Sequence, residues 1–91
     1  SPIYQATVKE AIYMQLQQAQ WAVIHKNQAI YELSLKQAIT SLKQHFDVNT
    51  KPAESILKQL DTLEHVSLNM EKPTSGTALE LLNQVIEQQK L

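Results

Sequence analysis

Apolar residues recur every three or four positions along four stretches of the chain, which is the period of an amphipathic α-helix. The first stretch covers residues 3–25, and neither Gly nor Pro interrupts it. Ser1 and Pro2 precede it as an N-cap and a first helical residue. We therefore predict one helix of about six turns, with a buried stripe of Val8, Ile12, Leu16, Ala19 and Val23.

A second helix is predicted for residues 28–46, directly after a break at Lys26 and Asn27. The side-chain oxygen of Asn27 can cap its first turn. Because so short a connection joins antiparallel neighbours, we expect the first two helices to form a hairpin. The second stripe is wide enough to face two neighbours and comprises Tyr31, Leu35, Ala38, Leu42 and His45 or Phe46, with Ile30, Leu33 and Ile39 beside them.

Two shorter helices are predicted at about residues 52–64 and 78–89, each with a narrower apolar stripe. The expected caps are Asn49 or Thr50 for the third helix and a Thr77-x-x-Glu80 capping box for the fourth. The stripes are Ile56, Leu57, Leu60 and Leu63 in the third helix and Leu79, Leu82, Val85 and Ile86 in the fourth.

Residues 65–76 lose the helical period and contain the only Gly of the chain. We therefore predict that they connect the third and fourth helices. Every second residue of the first part of this connection, namely Val66, Leu68 and Met70, is expected to contact the core. The segment from Trp21 to Ile24 is apolar all round, so we expect this turn to be enclosed and to fix the hairpin together with Tyr31.

These patterns predict an all-α fold, a single domain over residues 1–91. Four helices build it on a long antiparallel helical hairpin, with the two shorter helices packed across the hairpin. Hydrophobic residues make up 43% and charged residues 19% of the chain, which is the composition of a folded protein. A domain this short buries only about 60–65% of the surface that its unfolded chain exposes, so we expect self-association or another protein partner to add burial.

Charge and cysteine content exclude several classes of function. The net charge is −1, Arg is absent and the eight Lys are dispersed, so neither nucleic acid nor an anionic membrane surface is an expected partner. Without Cys there is no disulfide, thiolate or iron–sulfur chemistry. No apolar run is long enough to span a bilayer, so we expect any membrane contact to come from a segment outside these residues.

Candidate ligands are few. His25, His45 and His65 occur singly near predicted helix ends, where the exposed carbonyls favour an imidazolium, and their spacing predicts no metal site. Trp21 and Tyr31 could meet across the hairpin and stack on a flat ligand. A role of both aromatic side chains in the hairpin core is the favoured explanation.

No residue pattern predicts catalysis or a resident cofactor. The carboxylates alternate with polar residues, as on a solvated helix face, and provide no visible acid–base pair. A cradle for S-adenosylmethionine normally needs a glycine-rich strand-to-helix turn, and the chain has one Gly and no convincing strand. The Gln-rich faces of the first helix instead favour helix–helix association, including association with a second copy.

Residues 14–50 contain a recognisable motif. It comprises Leu16, Gln18, Ala19, Gln20, Trp21, Ala22, Val23, Ile24, His25, Asn27, Gln28, Ala29, Tyr31, Phe46 and Asp47. These residues resemble the HemX family of proteobacterial membrane proteins, whose pattern runs through an L-x-Q-A-Q-W-A-V-L-H helix, an N-Q-A-x-Y turn and a helix that ends in Y-F-D. Ile24 and His45 are mild departures, standing where Leu and an aromatic residue are expected.

The resemblance implies a periplasmic segment of a single-pass inner-membrane protein, encoded beside enzymes of haem biosynthesis. The expected function is then a non-catalytic interaction or scaffold domain. One alternative is a tetrapyrrole-binding module that uses His25 or His45 with Trp21 and Tyr31. A further alternative is uroporphyrinogen-III C-methyltransferase activity, as the family is labelled, for which these residues show no site.

Overall fold

The computed structural model describes residues 1–70 and 77–90. Over these residues the chain is all-α and contains no strand, which confirms the predicted fold class. Its four helices are α1 (Pro2–Ile24), α2 (Gln28–His45), α3 (Lys51–Glu64) and α4 (Thr77–Lys90).

Side-chain caps start three of these helices. The Ser1 hydroxyl accepts from the Tyr4 N–H at 3.2 Å, and Pro2 occupies the first helical position. The Asn27 amide oxygen accepts from the Ile30 N–H at 3.0 Å. Thr50 rather than Asn49 caps α3. Its hydroxyl accepts from the Ala53 N–H at 3.4 Å, while the predicted capping box of α4 involves the Thr77 side chain, which lies outside the described part.

A Schellman turn ends α1 and begins the hairpin. The N–H of Asn27 bonds to the Ala22 carbonyl at 2.8 Å and that of Lys26 to the Val23 carbonyl at 3.2 Å. In this motif the residue after the cap takes the left-handed conformation, and Lys26 does so with φ of 52°. Because Gly usually fills this position, Lys26 holds its conformation at some steric cost.

The helices form two layers of two. α1 and α2 are antiparallel, since Tyr4 in the first turn of α1 contacts His45 at the end of α2. In the second layer α3 packs on α2, α4 packs on α1, and the two contact each other. One core fills the space between the layers and contains Val8, Ile12, Leu16, Ala19, Ala22, Tyr31, Leu35, Ala38, Leu42, Leu60, Leu63, Leu68, Ala78, Leu82, Val85 and Ile86.

The expectation that Trp21 to Ile24 are enclosed is wrong. Trp21 is 46% and Ile24 66% exposed, whereas Ala22 is fully buried and Val23 half-buried. α1 has two neighbours, α2 and α4, so its third side faces solvent. Trp21 and Ile24 project from that side, and the small Ala22 faces the core.

The connection after α3 reaches the core through one residue. Leu68 is 3% exposed and Val66 is half-buried, but Met70 is 83% exposed, contrary to expectation. The N–H of Met70 bonds to the Ser67 carbonyl at 3.2 Å, so the chain turns at this point and the alternation of an extended segment is lost. The remainder of the predicted connection, residues 71–76, lies outside the described residues.

Candidate functional site

Two of the three candidate ligand-binding residues meet at the hairpin end of α1. The rings of Trp21 and His25 are stacked, with centroids 4.1 Å apart and an angle of 17° between their planes. The Nδ1 atom of His25 lies 2.9 Å from the Trp21 carbonyl oxygen, which can only accept, so Nδ1 carries the hydrogen. In the neutral ring Nε2 then holds the lone pair. Both side chains are exposed.

Tyr31, the third candidate, is fully buried and does not share an exposed surface with Trp21. Its hydroxyl donates to the backbone carbonyl of Leu63, at the end of α3. The possible stacking platform of Trp21 and Tyr31 across the hairpin is therefore not formed. Tyr31 faces the space between α2 and α3, whereas Trp21 faces solvent and has His25 as its ring partner.

His45 lies at the opposite end of the hairpin. A hydrogen bond joins its Nδ1 to the Tyr4 hydroxyl, and the two rings meet edge to face at 5.4 Å. The 18 residues of α2 separate it from the turn that contains His25, a length of about 27 Å. His25 and His45 therefore cannot bind one metal ion or one haem together.

His65 belongs to a small cluster at the end of α3 that the sequence analysis missed. Its Nδ1 lies 2.8 Å from the Asp61 carbonyl oxygen, 4.0 Å from the Asp61 carboxylate and 3.9 Å from the Glu64 carboxylate. The Asp61 carbonyl, followed by the Asp61 charge, raises the pKa of His65 above its ordinary value. Asp61 and His65 are exposed, and the spacing D-x-x-E-H places all three residues on one helix face. We therefore interpret the cluster as a network of ion pairs on the surface.

A cavity of about 460 Å³ opens at the end of the bundle away from the hairpin turn. Its wall is largely apolar, and the polar groups of Asp47 and Thr50 at its edge are engaged within their own loop. Such a cavity offers contact to an apolar group and little else. Its lining is Lys9, Ile12, Leu16, Leu42, Phe46, Asp47, Thr50, Pro52, Ala53, Ile56, Leu60, Val85 and Gln88.

An exposed apolar line runs along α1 on the side opposite the core. We call it the outer face of α1 and define it by Ile3, Met14, Trp21 and Ile24. Ile3 is 81% and Met14 60% exposed, more than Trp21 near the C-terminal end of the face. Residues 11–25 contain no Asp, Glu, Lys or Arg, so the part of this face that includes Met14, Trp21 and Ile24 carries no formal charge. An uncharged stretch of this length is unusual for a solvent-exposed helix face.

None of the helices within residues 1–70 and 77–90 combines the length and the apolarity that a bilayer-spanning helix needs.

Comparison with known proteins gives one match. Neither the curated proteins nor the solved structures contain one that matches this chain. A family model described as "HemX, putative uroporphyrinogen-III C-methyltransferase" matches residues 1–91, which is the whole chain and not only the segment 14–50 that carries the recognisable motif. The chain therefore belongs to the HemX family.

Proposed function

We propose that this chain is a non-catalytic interaction domain that scaffolds or regulates a haem-biosynthesis assembly on the periplasmic side of the inner membrane. The outer face of α1 carries the proposal. Ile3, Met14, Trp21 and Ile24 are large apolar side chains that contribute little to the core of their own domain. Met14, Trp21 and Ile24 lie on one uncharged stretch of the helix, and exposed apolar residues grouped on one face can form a contact with another protein.

The link to haem and to the periplasm has a separate basis. The description of the family names uroporphyrinogen-III, a tetrapyrrole of the haem pathway. The periplasmic location and the membrane anchor follow from the resemblance to membrane-anchored HemX proteins, and the described helices leave the anchoring to another segment.

In-cell photo-crosslinking of the full-length protein tests the scaffold role. A photoreactive phenylalanine analogue at Met14 samples the outer face of α1, and the same analogue at Gln44, exposed on α2, is the control. We expect adducts with haem-biosynthesis or envelope proteins from position 14 and none from position 44. Equal adducts from both positions, or none from either, would contradict the proposal.

Methyltransferase activity is the competing interpretation of the family description. Methyl transfer needs a site that holds S-adenosylmethionine against its acceptor, and the cavity at the end of the bundle has a largely apolar wall. Isothermal titration of the domain with S-adenosylmethionine checks this point. We expect only the heat of dilution, and a saturable isotherm would favour an enzyme.

The stacked pair Trp21 and His25 supports a second candidate function, tetrapyrrole binding. The Nδ1 bond to a backbone carbonyl orients the ring and leaves Nε2 as the available ligand atom, the arrangement usual for a metal-bound His. The exposed Trp21 ring beside it offers a flat surface for a macrocycle. Iron ligation by His25 and stacking on Trp21 are alternative modes in this arrangement, because a ligating imidazole stands perpendicular to the haem plane and the Trp21 ring lies nearly parallel to the His25 ring.

Absorption titrations with haemin and with metal-free uroporphyrin separate ligation from stacking. His25→Ala should abolish a haemin Soret shift seen at tens of micromolar ligand, while uroporphyrin binding should depend on Trp21. His65→Ala is the matched control, because His65 has the same bond to the carbonyl four residues earlier, at 2.8 Å, and is equally exposed. Absence of any Soret shift, or equal loss in both variants, would exclude this function.

A further inference from the structure

We infer that the cavity at the end of the bundle binds an aliphatic chain of about eight to twelve carbons, with the polar head of the same molecule held outside at the mouth. The site is separate from the outer face of α1, so the inference does not rest on the scaffold role proposed above. It assigns a class of ligand to a part of the molecule that the proposed function leaves unused.

The cavity reaches from the surface into the core. Leu16, Leu60 and Val85 line its inner end and are at most 1% exposed. Lys9 on α1 and Pro52 on α3 also line it and are exposed. The exposed and buried lining residues are seven positions apart on α1 and eight on α3, which corresponds to a depth of about 10–12 Å.

An apolar cavity of this size calls for an occupant. Native interiors leave few voids larger than a water molecule, because side chains beside a void lose packing contacts. The volume of about 460 Å³ is three times the roughly 150 Å³ of an engineered apolar cavity that takes up benzene. A domain of 91 residues has little stability to spare for such a void. An apolar ligand that fills it restores the missing contacts.

The walls exclude a peptide as that occupant. A buried backbone segment needs partners for its N–H and C=O groups, whereas the wall here is formed by apolar side chains such as Ile12, Leu42 and Ile56. A helix about 10 Å wide would occupy roughly 800 Å³ over this depth, which exceeds the cavity. A single side chain from a partner is too small, since the benzene ring of a Phe would fill about a third of the volume.

An aliphatic chain meets all of these conditions. It has no group that needs a hydrogen bond, and it is long enough to reach the inner end. With C–C bonds of about 1.5 Å an extended chain advances about 1.3 Å per carbon, so the depth takes about eight carbons. The volume leaves room for a bent chain, for which we set the limit at about twelve carbons.

The mouth suits the polar head of an amphiphile. Among the described residues that line the cavity, the polar ones are Lys9, Asp47, Thr50 and Gln88, and all four are exposed. A head group at this position keeps its hydration. Because Lys9 and Asp47 carry opposite charges, the mouth favours neither an anionic nor a cationic head. The chain is therefore the part of the ligand that the cavity recognises.

Calorimetric titration with a series of straight-chain carboxylates tests the length. Each further methylene that enters the cavity should tighten binding about fourfold. The affinity should level off between about eight and twelve carbons, when the cavity is full. An affinity that rises without a break up to about sixteen carbons, well beyond the depth of the cavity, or the absence of saturable binding by any member, overturns the inference.

Ala53→Phe tests the place. Ala53 lines the cavity and is 9% exposed, so the added ring should occupy the space of the ligand. We expect decanoate binding to be lost and the thermal midpoint of the ligand-free chain to stay the same or rise, because a void is filled. Ala29→Phe is the matched control, since Ala29 also lies in the first turn of a helix but is exposed at the hairpin end. Unchanged binding by Ala53→Phe, or equal loss in both variants, overturns the inference.

NMR of the unsubstituted chain locates the ligand even if Ala53→Phe fails to fold. Decanoate should shift the methyl resonances of Ile56 and Val85, which line the cavity. The methyl resonances of Met14 and Ile24, on the outer face of α1, should stay unchanged. Shifts confined to the outer face would overturn the inference.

The source of the chain is tested with two ligands of equal chain length. Decanoate represents a free fatty acid, and a decanoyl lysophospholipid represents a membrane lipid. Saturable binding of either one with shifts at Ile56 and Val85 supports the site, and the tighter ligand identifies the source. Binding of neither overturns the inference.

Discussion

The side-chain amide of Gln28 holds the backbone of Leu68 by a hydrogen bond of 2.8 Å from the Leu68 N–H to Oε1. The Nε2 atom of the same amide donates to the Val66 carbonyl at 3.0 Å and to the Glu32 carboxylate at 3.0 Å. One side chain in the first turn of α2 thus satisfies two backbone groups of the segment after α3. It thereby fixes the path that places Leu68 in the core.

Gln28→Ala should therefore destabilise the domain. Two hydrogen bonds to backbone groups are lost, and each such bond contributes about 0.5–1.5 kcal/mol net, so we expect a loss of about 1–3 kcal/mol. Urea unfolding followed by circular dichroism measures it. Gln44→Ala, at an exposed site of the same helix, should change stability by less than about 0.5 kcal/mol. Equal effects of the two substitutions would show that the amide contacts do not stabilise the fold.

Tyr31→Phe tests the bond between α2 and the end of α3. The substitution keeps the buried ring but leaves the Leu63 carbonyl without its hydroxyl donor. The Leu63 carbonyl keeps the Val66 N–H as a donor at 3.1 Å, so the substitution removes one hydrogen bond without orphaning the acceptor. We expect a loss of about 0.5–1.5 kcal/mol in urea unfolding. Tyr4→Phe is the control, since Tyr4 is half exposed. A stability of Tyr31→Phe equal to that of the unsubstituted chain would contradict the role of this bond.

The two faces of α1 should respond differently to truncation. Leu16 is almost fully buried, and Leu16→Ala should cost about 2–5 kcal/mol through lost burial and a new cavity. Trp21→Ala removes a larger but half-exposed side chain, and we expect a loss below about 1 kcal/mol. Thermal unfolding of the two variants, each measured against the unsubstituted chain, compares these losses. A larger loss of stability for Trp21→Ala than for Leu16→Ala would indicate that Trp21 is part of the core.

Sequence periodicity was sufficient to predict the four helices and most of the core. Positions such as Leu16, Leu35 and Leu60 lie on stripes whose spacing alone places them on one helix face. Periodicity does not say how many neighbours a helix has. Trp21 and Ile24 look like core residues because they are apolar, and only the arrangement of α2 and α4 leaves them exposed.

Contacts between distant residues could not be predicted. The bonds from Gln28 to Leu68 and from Tyr31 to Leu63 join a side chain to a backbone group 40 and 32 residues away. No local pattern marks such a pair. The cavity likewise depends on how far the helices diverge at one end of the bundle.

Contacts within one helix could have been predicted. Trp21 and His25 are four residues apart, which places them on the same face of α1, and the stacked pair follows from that spacing. The cluster of Asp61, Glu64 and His65 has the same kind of signal in α3. Both were missed because the candidate residues were compared across the hairpin or taken singly.

The cluster at the end of α3 predicts the pH response of His65. The Asp61 carbonyl raises the pKa of His65 most, and the Asp61 charge adds to this. Desolvation opposes the rise, and the charges of Glu64 and then Glu32 make smaller contributions that raise the pKa further. A raised pKa in the folded state means that folding favours the protonated ring. The stabilisation is thus complete below about pH 6.5, the ordinary pKa of His, and disappears as pH rises through the folded-state pKa.

NMR titration of the His65 ring should therefore give a pKa above the ordinary value. Asp61→Asn should lower this pKa only in part, because the substitution removes the carboxylate charge and retains the backbone carbonyl. The urea midpoint of the unsubstituted chain should fall relative to that of His65→Gln, which lacks this titration, as pH rises from about 6.5 through the folded-state pKa. A His65 pKa at or below the ordinary value, or complete reversal of the shift in Asp61→Asn, would contradict the leading contribution of the carbonyl.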